Sequence, residues 1–318
     1  MLAARVLRVP WVAAVVVFVA LAAAPSRAGA QPVHAGQNVA PIFEGWFRNP
    51  DGTFTLAFGY LNRNYTEHII VPLGPENRVE PDGPDRGQPA YFYPRTNRFA
   101  FRVTVPRDWG KKEVVWTLTA HGRTDQAVGW LQPEWEIDRK NELSISGRGT
   151  TFDDDDIIAK NQTPTVKISA SPSASTVSQP LTLTATASDD GLPPPDPPRQ
   201  QLRVAGQETP PTLQANTIDS PVNVPLGPNR PPLPPRGRLT TRWIVHRGPA
   251  KVTFDPAGWQ DVKNGTTSAV VRFAVPGDYV LRVTASDGMY VATEDVRMTV
   301  SAPGASATPS LPRPAGRP

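Results

Sequence analysis

The chain has 318 residues, of which 38 are proline and none is cysteine, and charged residues make up 19%. That length suggests two domains at roughly 150 residues each, and the missing cysteines exclude a disulfide scaffold, a thiolate zinc site, a cysteine nucleophile and a cysteine-linked lipid anchor. Proline stands well above its ~5% norm, which argues against long helices and for extended loops.

The first thirty residues stand apart. Arg5 and Arg8 precede an uninterrupted apolar run from Trp11 to Ala24, and Ala28-Gly29-Ala30 supplies a small-x-small pattern before Gln31. This predicts a secretory signal peptide over 1–30, cleaved between Ala30 and Gln31. The run falls short of the ~20 residues a spanning helix needs, so the expected mature chain has no transmembrane segment and is periplasmic or secreted. Cleavage removes Arg5, Arg8 and Arg27 and no acid, leaving 30 basic against 29 acidic residues, a net charge of +1. Nucleic-acid binding draws on a clustered positive surface; a near-neutral chain offers none, and that class is set aside.

From Ala40 to about Leu131 the hydrophobic period is two, within a first domain expected over 40–145. Phe54, Leu56, Phe58 and Tyr60 share one face, as do Phe99, Phe101, Val103 and Val105, and then Val114, Trp116 and Leu118. Alternation of this kind predicts strands with one face buried. Asn49-Pro50-Asp51-Gly52 suits a hairpin between Ile42–Arg48 and Thr53–Leu61. The segment reads as a small antiparallel sandwich. Residues 146–163, with the run Asp153–Asp156, read as an acidic linker or peripheral loop.

A second domain is expected over 164–300. Thr165–Ala170, Leu181–Ala187, Leu239–His246, Lys251–Phe254, Thr267–Val275, Tyr279–Ala285 and Ala292–Val300 give the seven strands of an immunoglobulin-like sandwich. A proline-rich stretch, residues 192–238, holds Pro193-Pro194-Pro195 and Pro231-Pro232-Leu233-Pro234-Pro235 and is read as a loop insertion. The tail, 301–318, is Pro/Ala/Ser/Gly-rich and expected to be disordered. The fold class predicted is all-β: two immunoglobulin-like antiparallel β-sandwiches with a proline-rich insertion in the second.

The C-terminal half resembles a bacterial polycystic-kidney-disease (PKD) type repeat. The resemblance lies in Leu181-Thr182-Leu183-Thr184-Ala185-Thr186-Ala187-Ser188-Asp189-Asp190-Gly191, in Trp243 with Arg247-Gly248-Pro249, and in Pro276-Gly277-Asp278-Tyr279-Val280-Leu281-Arg282-Val283-Thr284-Ala285-Ser286-Asp287-Gly288. The repeat's usual Trp-Asp-Phe-Gly-Asp-Gly signature is absent, which marks a divergent relative. In such a sandwich Trp243 is the core aromatic of the third strand, Leu183 and Leu281 replace the inter-sheet disulfide of antibody domains, and Tyr279 forms a tyrosine corner. The N-terminal half is similar to sandwich segments of uncharacterised exported bacterial proteins, through Gly59–Asn64 and Val71–Pro75.

Candidate sites divide three ways. His34, His68, His121 and His246 form no ligand pair or nucleophile motif, and read as surface or strand-edge residues. Asp189, Asp190 and Asp287 fall in loops that an immunoglobulin-like sandwich brings to one end, a candidate calcium site set against the plainer reading of Asp-Gly turns. Sixteen aromatics lie between Phe43 and Trp135. Those out of strand phase (Tyr91, Tyr93, Trp109, Trp130 and Trp135) are candidates for an exposed binding platform. The expectation is an exported non-enzymatic module of the cell envelope binding protein or polysaccharide, without cofactor. The alternative is a secreted glycan hydrolase using acids such as Glu134 and Glu136 beside Trp130 and Trp135.

Overall fold

A computed structural model describes residues 33–148, 155–170, 174–195, 234 and 236–303. Residues 1–30, read as a signal peptide, Asp153 and Asp154, most of the proline-rich insertion and the tail beyond 303 lie outside the described residues.

The first sandwich contains β1 (Val39–Arg48), β2 (Phe54–Asn62), β3 (Ile69–Ile70), β4 (Asn77–Glu80), β5 (Tyr91–Phe92), β6 (Arg95–Val105), β7 (Val114–Ala120) and β8 (Arg123–Gly129). One sheet runs β1-β2-β6, the facing sheet β4-β7-β8, and β3 pairs with β5 as a short ribbon. The chain thus makes two strands of one sheet, crosses to the other, returns for β6 and crosses again. Those crossings give the Greek-key connectivity of an immunoglobulin-like sandwich. The expected turn closes β1 onto β2, with Asn49 and Thr53 paired through backbone at 3.0 Å and Asp51 Oδ1 accepting Thr53 N–H at 2.9 Å. Leu56, Phe58, Phe101, Val103, Trp116 and Leu118 fill the core between the sheets. Burying each such side chain contributes roughly 1.5–3 kcal/mol. Asn77 locks the edge of this core, donating to the Val71 and Pro89 carbonyls and accepting from Trp116 Nε1 at 3.0 Å.

The second sandwich contains β9 (Thr165–Ala170), β10 (Ala174–Thr176), β11 (Leu181–Ser188), β12 (Thr240–Arg247), β13 (Val252–Asp255), β14 (Gln260–Asp261), β15 (Thr266–Phe273), β16 (Gly277–Ser286) and β17 (Val291–Ser301). Its sheets run β13-β15-β11-β9 and β10-β17-β16-β12-β14. All pairings are antiparallel except that β10 runs parallel to β17, as the split first strand of immunoglobulin-like domains does. Leu183 on one sheet and Leu281 on the other are fully buried, with Trp243 in the same core. Tyr279 donates from its hydroxyl to the Val275 carbonyl at 2.8 Å, the upstream backbone bond of a tyrosine corner.

The stretch read as a linker is more ordered than its composition suggested. Two short helices, α1 (Arg139–Ile145) and α2 (Asp155–Lys160), fall in and before it. Asp138 caps α1 by accepting Asn141 N–H at 2.6 Å. Asp155 and Asp156 occupy the first turn of α2, where the helix dipole favours acids. Leu143 and Ile158 bury against Met289 and Tyr290 of the β16–β17 turn as a small separate core.

The two sandwiches are bonded directly. Ala90 N–H donates to the His246 carbonyl at 3.1 Å, and Val245 N–H to the Tyr93 hydroxyl at 2.9 Å. Arg247 makes a two-pronged pair with Asp85, at 2.7 and 2.9 Å, and donates from Nε to the Gln88 carbonyl. Its guanidinium, together with Gly87 N–H, holds the Asp85 carboxyl down at about 2. Arg282 NH1 reaches the Ala100 carbonyl at 2.7 Å while its other nitrogens clamp Asp295. Tyr91, from the β5 ribbon of the first sandwich, belongs to the core of the second.

Candidate functional site

The five aromatics proposed as one platform part company. Tyr91 is only 2% exposed and sits in the joint against Tyr93 and His68. Tyr93 is spent on Val245 N–H, and burial pushes its phenol up to about 12. Trp109 is buried as a plug on the first core, its Nε1 donating to the Lys112 carbonyl at 2.9 Å. These three are therefore corrected from surface to structural residues. Each found its apolar partner far away in sequence, which local phase does not reveal.

Trp130 and Trp135 remain outward, at 37% and 46% exposure. Trp130 directly follows β8, and Trp135 closes a 3-10 turn, Pro133–Trp135. Gln132 ties them together: its N–H donates to the Trp130 carbonyl at 2.9 Å, and its carbonyl accepts both Trp135 N–H and Trp46 Nε1. Trp135 lies nearly parallel to Phe43, with ring centroids 5.5 Å apart and 16° between planes. Phe43 leans on Phe58, and Phe58 stacks on Phe101. A column of rings therefore runs from the core to the exposed indole. An indole held in this way loses little rotamer freedom when a ligand covers its open face.

Two glycines make the column possible. Gly129 leaves the space Phe43 fills, since a Cβ there would meet Phe43 Cδ2 at 2.7 Å and Phe58 Cζ at 2.9 Å. Gly45, at φ +129°, sits at the β1 bulge and lets the 3-10 segment pass close, where a Cβ would meet the Trp135 carbonyl and the Ile137 side chain. Ile137 N–H then bonds the Trp46 carbonyl at 2.7 Å, holding the segment to β1.

The acids beside the face are accounted for. Glu136 pairs with Arg48 at 3.2 and 3.3 Å, and Glu134 is exposed. The buried Glu44 is bonded to Arg98 at 2.6 Å; burial lifts its carboxyl above the usual range although Arg98 opposes this. An open depression of about 360 Å³ is lined by Arg78, Glu80 and the loop Pro81–Pro84, none of which belongs to the aromatic face.

His246 departs from its expected surface position. It is 4% exposed in the joint, with Nε2 2.9 Å from the Gly87 carbonyl. Burial first, then Arg282, holds its imidazole down at about 3. The candidate calcium residues also separate. Asp190 is exposed and accepts the Leu192 and Gln162 N–H groups at 2.9 Å each. The Leu192 bond is the turn chemistry of the plainer reading, while the Gln162 bond reaches across to the lead into β9, so backbone engages both of its oxygens. Asp189 lies close enough to Asp287 to feel its charge. Among the described residues no three His, Cys, Asp or Glu side chains gather as a metal-binding group.

Strand order defines a tandem immunoglobulin-like β-sandwich protein whose first sandwich exposes Trp130 and Trp135. No protein-family model and no curated protein matches the chain. Among solved structures it is similar to a conjugative transposon lipoprotein from Bacteroides eggerthii, at 11% identity over 42% of this chain and 95% of that one, TM-score 0.23. It is similar also to the fibronectin(III)-like modules of Clostridium thermocellum CbhA, at 11% identity, 86% and 93% coverage and TM-score 0.23. A third is the Yersinia pseudotuberculosis adhesin InvE, at 10% identity, 85% and 61% coverage and TM-score 0.22. Likenesses at these TM-scores carry no argument, and the fold assignment stands on the strand order itself. Among the described residues no helix is long and apolar enough to cross a membrane.

Proposed function

We propose that this protein is an exported, non-catalytic binding module of the cell envelope whose first sandwich grips a polysaccharide through Trp130 and Trp135. The single observation that carries the reading is the Trp135 indole, one face stacked on Phe43 and nearly half its surface open. A flat, pre-set indole matches a sugar ring, whose C–H face is apolar and whose rim is hydroxyls. A protein partner normally needs a broader apolar centre than two indoles and Val128 supply. Export rests on the signal peptide over 1–30, and the second sandwich serves as a rigid spacer. The hydrolase alternative has less support, because Glu136 is tied to Arg48 at 3.2 Å.

A second reading, a protein partner, is favoured by β8: it is an edge strand whose outer backbone is free to pair, and Val128 is exposed on it. The test is glycan-array and pull-down screening of the mature chain beside a Trp130→Ala/Trp135→Ala variant. Polysaccharide binding weakened at least tenfold by the double substitution, with an unchanged melting temperature, supports the proposal. Glycan binding insensitive to both indoles, or capture of a protein alone, overturns it.

A further inference from the structure

Three segments of the second sandwich bring side-chain oxygens to one end. Asn161 leads into β9, Asp189 follows β11, and Asp287 turns β16 into β17. Asn161 is 3% exposed, and its amide points into the group: Nδ2 donates to Asp287 Oδ2 at 3.0 Å, while Oδ1 has no hydrogen-bond partner. Asp189 Oδ1 is likewise buried and unpartnered, its Oδ2 accepting Gly191 N–H at 3.1 Å. Asp287 is fully buried, with Oδ1 accepting the Met289 and Tyr290 N–H groups at 2.6 Å each.

Asp189 lies near enough to Asp287 and Asp190 to feel both charges, and Gln162 N–H on Asp190 Oδ2 at 2.9 Å ties this loop to the lead into β9. A water could satisfy the idle oxygens, but it would leave the like charges facing each other. A cation satisfies the oxygens and removes the repulsion.

We infer that Asn161, Asp189 and Asp287 form a calcium site at this end of the second sandwich. The donors are all oxygen, which selects a hard cation. One amide and two carboxylates, completed by water, suit calcium's irregular six to eight ligands better than magnesium's near-ideal octahedron. A half-turn of the Asn161 amide exchanges its nitrogen for its oxygen and presents a third ligand. With two charged ligands the site belongs at the weak end of the range, half-saturated at about 0.1–1 mM. Occupancy would fasten the lead into β9, the end of β11 and the β16–β17 turn to one another.

The test is thermal unfolding of the full mature chain in EDTA, then in 5 mM calcium or 5 mM magnesium. Wild type should gain roughly 2–6 °C with calcium, saturably, and clearly less with magnesium. Asp189→Asn keeps the shape and removes one negative charge, so it should melt at or above wild type in EDTA and lose the calcium response. Asp190→Asn should keep that response. A flat calcium titration of wild type overturns the inference, as does an equal magnesium effect, an Asp189→Asn variant that still responds, or one that is destabilised in EDTA.

Discussion

The substitution Gly129→Ala tests the ring column from its hidden end. Gly129 lies outside the left-handed region, so alanine adds no backbone strain and its whole effect is one methyl group. That methyl meets Phe43 Cδ2 and Cε2 at 2.7 and 2.8 Å and Phe58 Cζ at 2.9 Å, about an ångström inside ordinary van der Waals contact. Phe58 is fully buried and braced by Phe101 and Trp116, so Phe43 must give way, carrying with it the ring on which Trp135 rests. Overpacking of this kind costs about 1–3 kcal/mol, and each kcal/mol lowers Tm by roughly 2–4 °C in a chain of this size. The assay pairs a urea or thermal melt with the emission of Trp135, taken as the difference from a Trp135→Phe background. The expected result is a lower midpoint together with altered Trp135 emission. A variant with the wild-type midpoint and unchanged emission would refute the claim that the exposed indole is held from within.

Tyr279→Phe removes the 2.8 Å bond to the Val275 carbonyl and should lower stability by about 1 kcal/mol; an unchanged denaturation midpoint counts against the corner's role. Tyr93→Phe leaves Val245 N–H without its acceptor and should cost about 1–3 kcal/mol, read in the same melt; a midpoint matching wild type would show that the joint does not depend on this bond. The joint should also weaken in acid. His246 is held down at about 3 against an ordinary 6.5, so the unfolded chain takes up its proton first and stability falls as pH drops from 6.5 towards 3, by at most about 1.4 kcal/mol per pH unit. His246→Gln should flatten that slope, and identical slopes would refute the assignment.

Seven of the nine strands in the second sandwich are legible, because β-branched and apolar residues alternate cleanly along β11, β15, β16 and β17; β10 and β14, at three and two residues, are too short to show a period. Strand β8 was not visible: only Ala127 and Gly129 of Arg123–Gly129 point into the core, and residues that small leave no hydrophobic period. Helices α1 and α2 were missed for a related reason. At seven and six residues they are too short to carry a stripe, and each buries a single leucine or isoleucine. Tyr91, Tyr93 and His246 were misjudged because what covers them is the other sandwich, a partner that spacing along the chain does not announce. Trp130 and Trp135 are exposed, and their position after the last strand of the first sandwich is the only signal of this in the sequence. Their support by Phe43 was hidden in a glycine whose meaning is the ring it makes room for.

The bonds through Ala90, Tyr93 and Arg247 have a mechanical consequence. A domain boundary stitched by main-chain contacts, a clamped guanidinium and a shared tyrosine leaves no slack for swivelling. Whatever is held at the indoles should pull on both halves as one body, and heating should melt them in a single cooperative step.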